Sequence, residues 1–190
     1  QSLAVRGTSE HAARAKAIAG DLAKGALETI AARQLLKQSV GLIREAGLIK
    51  VLQAKRNGGL EASLHDHIDV VEEVAYGCGS TGWCLGVYQA HSWLLGLFDP
   101  RAQDDVYGSN HDAIVSAVIA PRGQARKVPG GFKLSGFWPF CSGCHHSDWL
   151  LLGEMVLADD DDILDSGVMA VPTREATIQD DWYTGGLAGT

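Results

Sequence analysis

The residues able to do chemistry in this chain gather in a few short stretches. The most conspicuous is Cys141-Ser142-Gly143-Cys144-His145-His146. Cys-x-x-Cys-His is the spacing used for covalent haem attachment. Two thiols beside two imidazoles could also hold zinc. A redox dithiol has the same spacing, but such a pair normally opens a helix, and this one falls between two strand-like runs. A second zinc-ligand pair at the usual spacing is missing, because Cys78 and Cys84 are set into helical sequence. The plain reading is a strand-end loop that carries thiols. A haem or zinc module built on Cys141, Cys144 and His145 stays as the alternative.

Within that stretch Ser142 follows Trp138 and Phe140 and precedes a glycine. A hydroxyl after two aromatics, beside a residue that allows close backbone approach, suits contact with a planar ring. It is not a nucleophile elbow, since the Gly-x-Ser-x-Gly frame is absent. His91 sits in the apolar run GVYQAHSWLL. A buried imidazole needs a partner. It is therefore either a satisfied core histidine or a polar group facing a pocket, where it could bond a substrate hydroxyl. Trp83 and Trp93 flank it, as core or as pocket wall. Neither Gly-x-Gly-x-x-Gly nor a P-loop occurs, so phosphate cradling of those kinds has no support.

The elements that must position these residues change character once. Residues 9 to about 107 read as helical. In the first stretch Ile18, Leu22, Ala26 and Ile30 fall on one helical face, and Gly47 suits the position just past a helix end. Asn57-Gly58-Gly59 is a turn signal. Ser63 with Asp66 three residues on reads as a capping box opening a new helix, with Leu64, Ile68, Val71 and Ala75 as its buried stripe. The segment from Ser80 to Phe98 is apolar almost all round, as in a helix buried on most sides. Asp99-Pro100 starts a short helix with proline at its first position. From residue 112 the runs AIVSAVIA, GFKLSGFWPF, WLLLGEMVLA and SGVMAVP read as strands separated by turn residues. The four aspartates 159–162 read as a solvated loop, because they lack the alternation and glycine of a calcium loop. The organisation is α+β, with a helical domain over 1–111 and a β domain over 112–190.

Composition narrows the function classes. The chain has 190 residues, 46% hydrophobic and 21% charged, with a net charge of -7. A chain of this size buries roughly 70% of its extended surface and needs no metal or disulfide to make a core. An acidic chain without a clustered basic face is a poor fit for nucleic acid. No apolar run reaches the roughly 18 residues of a membrane span, and the first residues lack a signal-peptide pattern. Four cysteines read as reduced thiols of a cytoplasmic protein.

Taken together, GCGSTGWCLGVYQAHSWLLGLFDPRAQDDVYG and KVPGGFKLSGFWPFCSGCHHSDWLLLG resemble the oxygenase component of two-component flavin-dependent monooxygenases. The resemblance rests on Ser-Thr-Gly-Trp, then His91 eight residues after Trp83, then Trp-x-Phe-x-Ser-Gly, and it runs from about Gly41 to Thr190. The nearest in kind are the 4-hydroxyphenylacetate 3-hydroxylase oxygenases and the hydroxylases of steroid-derived phenols.

The resemblance implies the acyl-CoA dehydrogenase fold: an N-terminal helical domain, a barrel-like middle β domain, and a C-terminal four-helix domain expected beyond Thr190. It implies a homotetramer, reduced FMN or FAD supplied by a separate flavin reductase, and molecular oxygen as co-substrate. A flavin C4a-hydroperoxide would then pass one oxygen atom to an aromatic, commonly phenolic, substrate.

By resemblance, Ser142 matches the serine that bonds flavin N5, and His91 the histidine facing the phenolic oxygen. Trp83, Trp138, Phe140 and Cys141 line the flavin, and Ser116 lies where relatives carry serines near the substrate. An acyl-CoA dehydrogenase proper, using FAD to desaturate a thioester, would share the fold. It is disfavoured by His91 and by the Trp-x-Phe-x-Ser-Gly stretch.

Overall fold

The computed structural model describes residues 9–190. The leader reading, and the first eight positions of the helical part, lie outside these residues. Helix α1 (Glu10–Lys24) starts at Ser9, whose hydroxyl accepts from the Ala12 N–H. The single apolar face expected through Ile30 is broken twice. Gly25 ends α1, and α2 (Ala26–Ala32) stops at Arg33, which takes a left-handed conformation with φ 55. Each break turns the chain, so Leu22 is buried while Ile30 is 51% exposed. Helix α3 (Lys37–Glu45) follows, and Gly47 with φ 70 lies just past its end as expected.

Helix α4 (Leu64–Gly77) opens with the expected Ser63–Asp66 capping box. Its predicted stripe is not the buried one: Val70 and Val74 are buried, while Leu64 and Ile68 are 67% and 54% exposed. Helix α4 packs between α1 and α5 (Gly79–Leu95), and two neighbours bury a different arc from the one that periodicity favours. Helix α5 is also not buried all round. Cys84, Leu85, Tyr88, Gln89, Ser92 and Leu95 point inward, but Trp83 and Trp93 are about half exposed. Helix α6 (Pro100–Tyr107) is capped by Asp99, with proline first, as the sequence predicts.

The strands form one open mixed sheet in the order β2-β1-β3-β4. They are β1 (Val115–Val128), β2 (Gly131–Gly136), β3 (Trp149–Leu157) and β4 (Ile163–Pro172). Strand β1 runs past the apolar stretch read from sequence, because its polar half, Gly123 to Val128, pairs with β2 in a hairpin. The other end of β1 pairs in parallel with β3, from Val115↔Trp149 onward. Leu150 to Glu154 on β3 are all buried, as expected of a central strand covered on both faces. The aspartates 159–162 make the β3–β4 turn, where Ala158 N–H bonds the Asp162 carbonyl.

This topology places the site. Strand β2 ends beside the middle of β1, where Gly136 faces Gly123, and β3 begins beside the start of β1 on its other side. The connection 137–148 must therefore run back along the first half of β1 and cross it. That connection carries the Trp138–His146 stretch.

Candidate functional site

The crossover is fastened at three depths. Nearest β2, the Trp138 ring lies against backbone without side chains: a Cβ on Gly123 would stand 2.2 Å from it. Its indole N–H donates to the Gly153 carbonyl at 2.7 Å. In the middle, Cys141 to Cys144 form a tight turn closed by Cys144 N–H to Cys141 C=O at 3.2 Å. Gly143 sits there with φ 74, and a Cβ would fall 2.2 Å from the Tyr88 hydroxyl. Glycine is thus required on two counts, backbone conformation and space. At the far end Cys144–His146 form a 3-10 turn, and His146 Nε2 lies 2.7 Å from the Leu35 carbonyl. Cys144 opens this 3-10 turn, while Cys141 lies in the loop before it.

Three hydroxyls below hold this turn. Tyr88, fully buried on α5, donates to the Gly143 carbonyl at 2.8 Å. Ser116 on β1 donates to the Ser142 carbonyl at 2.9 Å, and Ser147 Oγ supports Ser116 Oγ at 2.5 Å. Ser116 was expected near a substrate. The structure places it fully buried beneath the loop, as a strut for Ser142. Burial raises the Tyr88 phenol well above its ordinary range, so it stays a donor. Tyr88 and Ser147 were not singled out in the sequence, since a tyrosine and a serine in such runs carry no spacing signal.

Above the turn, Ser142 points to the Trp83 indole, whose N–H donates to Ser142 Oγ at 3.1 Å. This contact spends one lone pair of the hydroxyl. The second lone pair and the O–H proton stay available to a ligand. Ser142, Trp138, Phe140 and Cys141 line one cavity of about 1120 Å³, with Trp182 and Met169 among its other walls. Phe140, with φ 64 and 76% exposed, meets Trp182 edge-on at 5.7 Å. The wall on that side is pinned by Arg33, which sequence reading did not single out. It bonds Asp180 at 2.9 Å and the Trp182 carbonyl at 3.3 Å, and lies over the Tyr183 ring at 4.0 Å. The partners are 147 residues apart in sequence, so no local pattern announces them.

His91 is not in the wall of this cavity among the described residues. It lies eight residues beyond Trp83 on α5, about 12 Å along the axis. Its Nδ1 is 3.3 Å from the Val115 carbonyl. Val115 precedes Ser116, so His91 and Ser142 are tied to the same end of β1 rather than facing each other across one space. A carbonyl only accepts, so Nδ1 carries the proton and Nε2 presents a lone pair. Burial lowers the His91 pKa to about 4, partly opposed by the bond to Val115. At neutral pH the ring is therefore an uncharged acceptor.

The cysteines differ sharply. Cys78 and Cys84 are buried, and burial pushes the Cys84 thiol up to about 12. Cys141 and Cys144 are half-buried. A hydrogen bond between their thiols, Cys141 donating, pulls Cys144 below the usual thiol range and holds Cys141 above it. Among the described residues no three His, Cys, Asp or Glu side chains gather as a metal site. No helix described is long and apolar enough to cross a membrane.

No family profile matches the chain. Individual proteins do. It is 34% identical over 177 residues to the flavin-dependent monooxygenase oxygenase subunit HsaA of Rhodococcus jostii RHA1, covering 93% of this chain and 46% of that protein. It is 31% identical to the oxygenase component of an FADH(2)-dependent resorcinol hydroxylase from Rhizobium sp. MTP-10005, covering 93% of this chain and 43% of that protein. In structure it matches XiaF from Streptomyces sp., solved with FADH2 and glycerol. The TM-score is 0.92 and the identity 30%, over 95% of this chain and 46% of that one. The chain is a homologue of flavin-dependent monooxygenase oxygenase subunits. Its fold is acyl-CoA dehydrogenase-like, a helical part followed by a sheet. The homologous chain spans about half the length of the curated relatives it matches.

Proposed function

We propose that this chain forms the flavin- and substrate-facing part of a two-component oxygenase that inserts one oxygen atom into an aromatic, phenolic substrate. The observation that carries the reading is Ser142, presented by Trp83 at 3.1 Å on the wall of an aromatic cavity. The homology of the whole described chain to flavin-dependent oxygenases supports it. The residues fit a flavin: a cavity of about 1120 Å³ with Phe137, Trp138, Phe140 and Trp182 in its wall exceeds the needs of a tricyclic ring, and the Ser142 hydroxyl keeps bonding capacity unspent. Reduced FMN or FAD, delivered by a separate flavin reductase, supplies oxygen activation when bound.

The residues then divide the work. Ser142 would hold the edge of a bound flavin through the hydroxyl capacity that Trp83 leaves unspent, and there keep a ring proton in place. Trp83 fixes the Ser142 rotamer, and Trp138, Phe140 and Cys141 on the cavity wall would flank a bound flavin and exclude water. His91 lies outside the wall of that cavity, neutral, with Nε2 as its open acceptor, and would orient a phenol by accepting the hydrogen bond of its hydroxyl. Ser116 acts through the Ser142 carbonyl. The helical part over 1–111 and the β part over 112–190 are two domains. The working enzyme is a cytoplasmic homotetramer, for which the exposed Leu64, Ile68 and Tyr76 of α4 offer apolar surface.

The test supplies the purified protein with a flavin reductase, NADH, FAD or FMN, labelled oxygen and a panel of phenols. One labelled oxygen atom in a hydroxylated product is expected. Tight binding of oxidised FAD that a thioester reduces, with no label in any product, would replace the reading by a dehydrogenase. In the same assay Ser142→Ala is expected to lower product per reduced flavin consumed several-fold, with hydrogen peroxide rising to match.

A further inference from the structure

The Cys141–Cys144 turn has no part in oxygen transfer as proposed above, although Cys141 flanks the ring. Its geometry suits chemistry of its own. The turn is closed by a bond from the fourth residue to the first, at 3.2 Å. Such a turn brings its end Cα atoms within about 7 Å, which overlaps the range of about 4.4–6.8 Å that a disulfide needs. The influence of Cys141 lowers the Cys144 thiol from its usual range, as a neighbouring thiol should. Both residues are half-buried and lie on the cavity wall, so a small oxidant can reach them. Cys78 and Cys84 are buried at 4% and 0% exposure and serve as internal controls.

We propose that Cys141 and Cys144 form a hydroperoxide-reactive dithiol on the cavity wall, which closes to an intramolecular disulfide. The Cys144 thiolate attacks one peroxide oxygen: an S–O bond forms, the O–O bond breaks, and hydroxide leaves. Cys144 is then a sulfenic acid. The Cys141 sulfur, giving up its proton, attacks Cys144: the S–S bond forms, the S–O bond breaks, and the departing hydroxide takes that proton as water. The first hydroxide takes up the proton that the Cys144 thiol released on ionising, so two thiols lose two electrons in all and one peroxide becomes two waters. Cys144 is the attacking sulfur. The Cys141 thiol and the backbone N–H groups of Cys144 and His145 stabilise its thiolate. The position of the pair beside a peroxide-generating flavin rests on the functional reading above; the dithiol chemistry rests on the turn alone.

The experiment treats the reduced, flavin-free protein with hydrogen peroxide and follows free thiols and peptide masses. Cys141 and Cys144 are expected to disappear together, about tenfold or more faster than Cys78 and Cys84. The linked peptide should be two hydrogens lighter and should be restored by dithiothreitol. Cys141→Ser should leave a dimedone-trappable sulfenic acid on Cys144, and Cys144→Ser should abolish the fast phase. A fast phase that survives Cys144→Ser, a disulfide mapped to Cys84, or bound zinc that protects both thiols would overturn the proposal. Flavin binding by the same reduced protein is measured separately. Its failure counts against the functional reading and leaves the thiol result standing.

Discussion

At the scale of single residues, His91 and Ser142 show what sequence can and cannot announce. Their types and their aromatic neighbours marked them in the chain, and the structure gives each a defined partner. What was hidden is the strut role of Ser116 and Tyr88, since a hydroxyl aimed at a carbonyl in a distant loop leaves no trace in spacing. His91 also carries a measurable signature. Its pKa falls from 6.5 to about 4 in the fold, so the folded state prefers the neutral ring. Its stabilising contribution is fully present above pH 6.5 and is lost as pH falls toward 4. Urea titrations of the native protein across that window should show a steeper acid loss than those of His91→Asn. The difference is expected to reach up to about 1.4 kcal/mol per pH unit. Equal slopes would show that the ring is solvated. Hydroxylation by His91→Asn should be weak at every pH, with flavin consumption largely kept.

At the scale of elements, the decisive unit is the crossover 137–148 and the helix beneath it. The capping box, the proline-led α6 and the switch from helix to strand near residue 112 were legible because each has local chemistry. The breaks at Gly25 and Arg33 and the true inner face of α4 were not. Tertiary contacts chose among arcs that the periodicity left nearly equal: Val70 and Val71 are neighbours in sequence, and packing by α1 and α5 decides which is buried. Tyr88→Phe tests the crossover directly. It removes the shortest of three donors to the Gly143 carbonyl, leaving the His146 N–H and the Ser147 hydroxyl, at a nearly unchanged ring volume. A loss of about 1–2 kcal/mol is expected in denaturant unfolding. The turn should also loosen, read as faster amide exchange at Ser142 and Cys144. Gly143→Ala should cost more, because it adds strain at φ 74 and a clash with Tyr88. If both variants match the native protein in stability, the turn is not held as described.

At the scale of the whole molecule, two distant parts of the chain close one wall. Arg33, at the end of α2, holds the segment around Asp180 and Trp182 through an ion pair, a carbonyl bond and the Tyr183 ring. Arg33→Ala removes all three and should expose the chain after Gln179 to limited proteolysis several-fold sooner, with global unfolding little changed. Arg33→Lys should rescue only in part, since an ammonium keeps the charge but loses the planar fork. Cleavage at the native rate in Arg33→Ala would mean that other contacts hold the wall. The parallel pairing of β1 with β3 has one more consequence, which concerns the order of assembly. The β1–β2 hairpin can zip from its own turn, but β3 finds β1 only after the intervening dozen residues have been carried over the strand. Non-local pairing of this kind is slow to nucleate. Refolding should therefore recover the hairpin early, while the indole of Trp138 reaches its final, quenched environment only with the last kinetic phase.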